Sequence, residues 1–182
     1  MKMAPNPPPR GEAAVTPPKQ PLPKQQQPAY LSHDDLRQVV RLAPLVAIDL
    51  IIRNPRNEVL LGMRNNEPAK GWYFVPGGMI LKNEPLRDAF TRILKSETGL
   101  TAAIENARLL GAYEHFYANN RFGDAGYGTH YVVLGYELKT ADSATIKRDD
   151  QHSELRWWGE PDLLTSPNVH HNTKAYFCRN GE

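Results

Sequence analysis

The stretch GMILKNEPLRDAFTRILKSETGL, residues 78–100, decides how the rest of this sequence is read. Its centre has helical periodicity. Leu86, Ala89, Phe90, Ile93 and Leu94 recur at i, i+3, i+4, i+7 and i+8, one apolar stripe on a helix. Pro85 suits the first helical position and Gly99 the residue just past the last turn. Glu97 stands eleven residues after Leu86, on the same inward stripe. A carboxylate facing inward is costly unless it is paired or metal-bound.

Strand patterns surround this helix. Leu45 to Ile52 is almost wholly apolar and β-branched, a buried strand, and Asn54-Pro55-Arg56-Asn57 turns it back into Glu58–Gly62. Trp72–Val75 is a short strand ended by Pro76-Gly77-Gly78. Beyond the helix, Arg108–Tyr117 and His130–Lys139 read as strands joined by a Gly-rich loop at 123–128, and Glu154–Trp158 as a last strand with at least one of Trp157 and Trp158 in the core. Short helices are expected at 160–165 and 171–178. Ser32 caps a helix whose stripe, Leu36, Val39, Val40 and Ala43, stops at Pro44. Strands grouped around one strong helix, without regular alternation, point to an α/β (α+β) class, a mixed β-sheet sandwiched between helices, and not to a doubly wound fold.

The chain has 182 residues with 22 Lys+Arg and 20 Asp+Glu, a formal net charge of +2. That excess is local. Residues 1–29 carry four basic residues against one acidic, and nine of the 16 prolines. Such a segment buries too little apolar surface to offset its ordering entropy, so 1–29 is expected to be a disordered Pro-rich tail and 30–182 the domain. The remainder is near neutral, with no bias toward nucleic acid. No apolar run reaches the ~20 residues of a membrane span, and no signal peptide is legible, so a cytoplasmic protein is expected. Cys178 alone excludes an internal disulfide framework.

The 78–100 stretch resembles the Nudix box, G-x5-E-x7-R-E-U-x-E-E-x-G-U, where U is a bulky aliphatic. Gly78, Glu84, Arg92, Leu94, Glu97, Gly99 and Leu100 match in register. Ile93 and Ser96 stand where the family has glutamates. Positions 93, 96 and 97 share one helix face by spacing, so that face keeps one carboxylate of three, and a single bound divalent cation is expected.

More widely, the sequence is similar to the GDP-mannose mannosyl hydrolase subfamily, which also lacks the two glutamates. The resemblance runs from about Tyr30 to Phe177. It rests on Ala43-Pro44-Leu45-Val46 leading into Asp49, on Leu60–Arg64, Trp72–Gly78, His115-Phe116-Tyr117, Thr129–Gly135, Asp150-Gln151-His152 and Asn168-Val169-His170. It implies a Nudix fold and hydrolysis of GDP-mannose, and of GDP-glucose, to GDP and free sugar. Water attacks the sugar C1 with inversion, where ordinary Nudix enzymes attack phosphorus.

What the resemblance implies for residues is specific. His152 is the base for water, suited by a reference pKa of ~6.5. The carbonyl of Gly77, with Glu97 and Gln151, binds one Mg²⁺ per subunit, with Mn²⁺ as substitute, oxygen donors throughout. Arg64 and Arg92 present forks to the phosphates, Arg92 having a salt bridge with Glu84 as its alternative. Asp49, a carboxylate inside an apolar strand, contacts the sugar or the positive charge developing at C1. Tyr131 is a sugar or phosphate contact or a core residue, and His115 a phosphate or sugar-side group or a satisfied strand histidine. His130, His170 and His171 are read as structural. Met79 replaces an Arg common in the subfamily. The implied partners are a small-molecule nucleotide sugar and a second copy in a homodimer, with Tyr30 and the 31–43 helix at the interface. The rivals are an ordinary Nudix pyrophosphohydrolase and a non-catalytic nucleotide-sugar binding protein.

Overall fold

A computed structural model describes residues 28–141 and 152–178, apart from the side chains of residues 152 and 153. The expected tail, up to residue 27, and Gln151 lie outside the described residues. Ahead of the first helix, the Ala29 N–H donates to the Lys82 carbonyl at 3.3 Å.

Helix α1 (His33–Leu42) starts at Ser32, whose hydroxyl accepts from the Asp35 N–H, and stops before Pro44. The strands are β1 (Leu45–Arg53), β2 (Val59–Arg64), β3 (Tyr73–Phe74), β4 (Gly77–Met79), β5 (Arg108–Tyr117), β6 (Thr129–Lys139) and β7 (His152–Trp158). Helix α2 (Leu86–Thr98) is the long one; α3 (Glu160–Thr165) and α4 (His171–Lys174) are short. Gly99 closes α2 in the left-handed region at φ 73°, a conformation glycine adopts without strain.

Several boundaries differ from the sequence reading. The short strand β3 does end before Pro76, but Gly77 and Gly78 then begin a further strand, β4, because β1 is long enough to pair with both β4 and β2 along one edge. Pro85 is the N-cap of α2 and not its first helical residue. The last helix is one turn, 171–174, and Tyr176 follows it.

The sheet runs β3-β2-β1-β6-β5, with β4 on β1 and β7 on β2. β1 and β6 are parallel and the other pairs antiparallel, a mixed sheet as expected. Alternation along β1 divides the core. Ile48, Leu50 and Ile52 face α2, where they pack with Phe90, Ile93 and Leu94. Ile51 faces the other way, with Phe74, Trp158, Leu163 of α3 and Tyr176. Asp49 lies on this second face, the face opposite α2. Trp158 is buried and Trp157 half-buried.

Candidate active site

Asp49 organises the site. Its side chain is 7% exposed, and its Oδ2 accepts a 2.6 Å hydrogen bond from the Tyr176 hydroxyl. That hydroxyl also lies 3.3 Å from Nε2 of His115, which is 3% exposed. Burial pushes the Asp49 carboxyl up to about 6, against the pull of the Tyr176 hydrogen bond and the Arg64 charge. Burial, with the neighbouring His170 and His171, lowers His115 to about 4, and His170 falls to about 4 by burial, His171 and Arg64. Both imidazoles are therefore neutral at pH 7.

Aromatic rings close around these groups. Phe74 meets His115 at 5.8 Å and His170 at 5.2 Å, and Tyr117 meets Tyr131 at 6.1 Å and His170 at 5.6 Å. Arg64 is half-buried at the end of β2; its Nε donates to the Pro68 carbonyl at 3.0 Å and its guanidinium lies 5.7 Å from the Phe74 ring. Burial raises Tyr117 to about 12 and also raises Tyr131, so both phenols keep their protons. The structure thus brings Asp49, Arg64, His115 and Tyr131 together. His152 is opposite Arg64 in the β2–β7 register.

The second half of the predicted set lies on the α2 side. Glu97 is 3% exposed. Ile93, at 1%, belongs to the core, and a β-carbon on Gly78 would come within 3.3 Å of it. Ser96 is exposed, its hydroxyl donating to the Ile93 carbonyl at 3.1 Å. The expected single face of 93, 96 and 97 is therefore two buried positions and one exposed one.

Gly77 stands between the two halves. A β-carbon there would lie 2.3 Å from Asp49 Oδ1, so only glycine fits beside that carboxylate. The flanking ladder bonds run from Leu50 N–H to the Pro76 carbonyl and from Ile80 N–H to the Val46 carbonyl. Alternation then turns the Gly77 carbonyl away from β1, available to another group. The Gly77 carbonyl and the Glu97 carboxylate are hard oxygen donors of the kind Mg²⁺ takes. Among the described residues no three His, Cys, Asp or Glu side chains cluster to hold a metal. These donors fit an ion whose shell is completed by other oxygens, not a closed protein cage.

Arg92 forms the salt bridge with Glu84 that was its alternative reading. Its Nε donates to Glu84 Oε1 at 2.6 Å, and its Nη2 to Glu84 Oε2 and the Met79 carbonyl, each at 2.8 Å. The Leu81 N–H also donates to Glu84 at 2.9 Å. These bonds tie the β4–α2 loop to the helix, and the salt-bridge alternative is the one realised.

Sequence reasoning missed Tyr176, Tyr117 and the place of His170 in this cluster. A signal was present for Tyr176. Gly135 interrupts the apolar run of β6, and a β-carbon there would come within 3.1 Å of the Tyr176 ring. A glycine inside a strand marks such a close approach.

Comparisons with known proteins bear on the family and the fold. The chain is 41% identical over 128 residues, 70% of its length and 79% of the relative's, to the low-salt glycan biosynthesis protein Agl8 of Haloferax volcanii. It is 37% identical over 103 residues to the ADP-ribose pyrophosphatase of Methanocaldococcus jannaschii, spanning 59% of that protein. The fold is similar to the MutT NUDIX hydrolase of Burkholderia pseudomallei, at TM-score 0.59 and 29% identity over 73% of this chain and 95% of that one. It is also similar to the MutT protein of Methanosarcina mazei Go1, at TM-score 0.60 and 20% identity over 74% and 91%. The NUDIX domain profile matches residues 43–179, the stretch that holds both the Asp49 cluster and the α2 box, and the chain belongs to that family.

Proposed function

We propose that the chain hydrolyses a GDP-sugar, GDP-mannose foremost and GDP-glucose second, to GDP and free sugar by attack of water at sugar C1 with inversion. The observation that carries this reading is Ile93. Its position in the box is filled by a core side chain packed toward Gly78, and Glu97 is the one box carboxylate buried on α2 beside it. Attack at phosphorus, as in the family's ordinary chemistry, draws on the carboxylates that this helix face lacks. The relative named for glycan biosynthesis agrees with a sugar nucleotide as substrate.

The Gly77 carbonyl, Glu97 and Gln151 would hold one Mg²⁺, which supplies charge neutralisation on the diphosphate. GDP is a weak base, so it departs without a protonated acid, unlike the aglycone of an ordinary inverting glycosidase. Arg64 provides the guanidinium for the phosphates, since Arg92 is committed to Glu84. Asp49, on the same face as Arg64, stabilises positive charge at C1 or binds sugar hydroxyls. His152 takes the proton from water. Exposed Tyr30, Leu31 and Leu42 suit the homodimer that the resemblance implies, which sedimentation at micromolar concentration would reveal.

The relative named ADP-ribose pyrophosphatase favours a second reading, attack at phosphorus. Product analysis separates them. Incubation with GDP-mannose and Mg²⁺ is expected to yield GDP and mannose. GMP with mannose 1-phosphate would support the second reading, and no turnover would favour a binding protein.

A further inference from the structure

Tyr176 reaches Asp49 across 127 residues of chain, and two glycines clear the way for the pair. Gly77 makes room for Asp49 Oδ1, and Gly135 for the Tyr176 ring. The ring is further held edge-on against Tyr113, with centroids 4.6 Å apart. The Tyr176 hydroxyl has one proton and two neighbours: Asp49 Oδ2 at 2.6 Å and His115 Nε2 at 3.3 Å. The shorter contact takes the proton, because a carboxylate accepts and does not donate. The longer contact is then a hydrogen bond only if His115 Nε2 carries the ring's proton.

We propose that Tyr176 is the positioning residue of this site, held in a chain in which His115 Nε2–H donates to the Tyr176 oxygen and the Tyr176 O–H donates to Asp49 Oδ2. The chain fixes the His115 tautomer and holds Asp49 in one orientation, with Oδ1 turned toward Gly77. Arg64, Tyr117 and Tyr131 complete the groups around the carboxylate. The effect on turnover rests on the function proposed above; the tautomer does not.

The test has two arms on the full-length protein. Long-range ¹H–¹⁵N correlation of the free protein near neutral pH is expected to show His115 protonated at Nε2, and Tyr176→Phe to lose that preference. An Nδ1–H tautomer in the native protein would overturn the chain. In the second arm, Tyr176→Phe is expected to lower kcat on GDP-mannose by about 10–100-fold, the range of a lost hydrogen bond to a charged group. KM is expected to change by less than about threefold. An unchanged kcat would overturn the positioning role. Absence of turnover by the native enzyme would overturn the proposed function instead, while the tautomer still decides the chain.

Discussion

A β-carbon on Gly78 would lie 3.3 Å from Cγ1 of Ile93. The box position one turn before Glu97 is thus a packing position in this chain, surrounded by Ile48, Leu50, Phe90 and Leu94. Ile93→Glu is expected to destabilise the fold, because it places an unpaired carboxylate among apolar side chains. The loss should reach about 3–5 kcal/mol, lowering Tm by roughly 6–20 °C at 2–4 °C per kcal/mol. Thermal melts with and without Mg²⁺ check this. An equally stable variant would show that the position can accept a carboxylate after all.

Arg92 and Glu84 form a brace. Glu84 is 3% exposed and Arg92 30%. The Arg92 hydrogen bonds hold the Glu84 carboxyl below its ordinary value. A depressed acid contributes stability that is full above the unfolded value, ~4.3, and is lost as pH falls through the lower folded value. Arg92→Gln should cost about 2–4 kcal/mol near neutrality by stranding a buried carboxylate. Urea unfolding measures it, and the loss should shrink as pH falls below about 4.

The buried histidines give stability a pH dependence of the opposite origin. His115 and His170 are lowered to about 4 in the folded state, so the unfolded chain takes up two more protons between about 6.5 and 4. Asp49, raised to about 6, holds one more proton folded than unfolded between about 6 and 4. The net uptake on unfolding is one proton in that window. In metal-free protein, stability should fall with decreasing pH by at most about 1.4 kcal/mol per unit from 6 to 4. A flat profile in urea titrations at pH 6 and 5 would contradict the neutral histidines.

The α2 stripe, most of the strand segments along the chain and a mixed sheet packed against helices were legible because apolar spacing reports directly on which face a residue buries. Asp49 was legible for the same reason: one carboxylate in Leu45–Ile52 breaks a pattern. The partner that satisfies it was not. Tyr176 follows a one-turn helix near the end of the chain, and no local period links it to β1. Only Gly135, a gap in an apolar strand, hinted that something large arrives there. The role of Arg92 was equally undetermined by spacing, since Glu84 lies eight residues earlier and the loop between them sets whether the two meet. Ser96 shows the limit of helical spacing, which groups 93, 96 and 97 but does not tell where the sheet's edge leaves the last turn exposed.

His152 occupies the β7 position opposite Arg64. His152→Gln is expected to lower kcat on GDP-mannose by about 10²–10⁴-fold, the range of a lost general base. GDP affinity by calorimetry should change little, because the base acts on water and not on the nucleotide. Unchanged turnover would remove His152 from that role.

The central claim is that water attacks carbon. Turnover of GDP-mannose with Mg²⁺ in ¹⁸O-labelled water, followed by mass spectrometry of both products immediately after reaction, reads the site of attack. The label is expected in mannose, with none in GDP. Label in a phosphate-bearing product would contradict it.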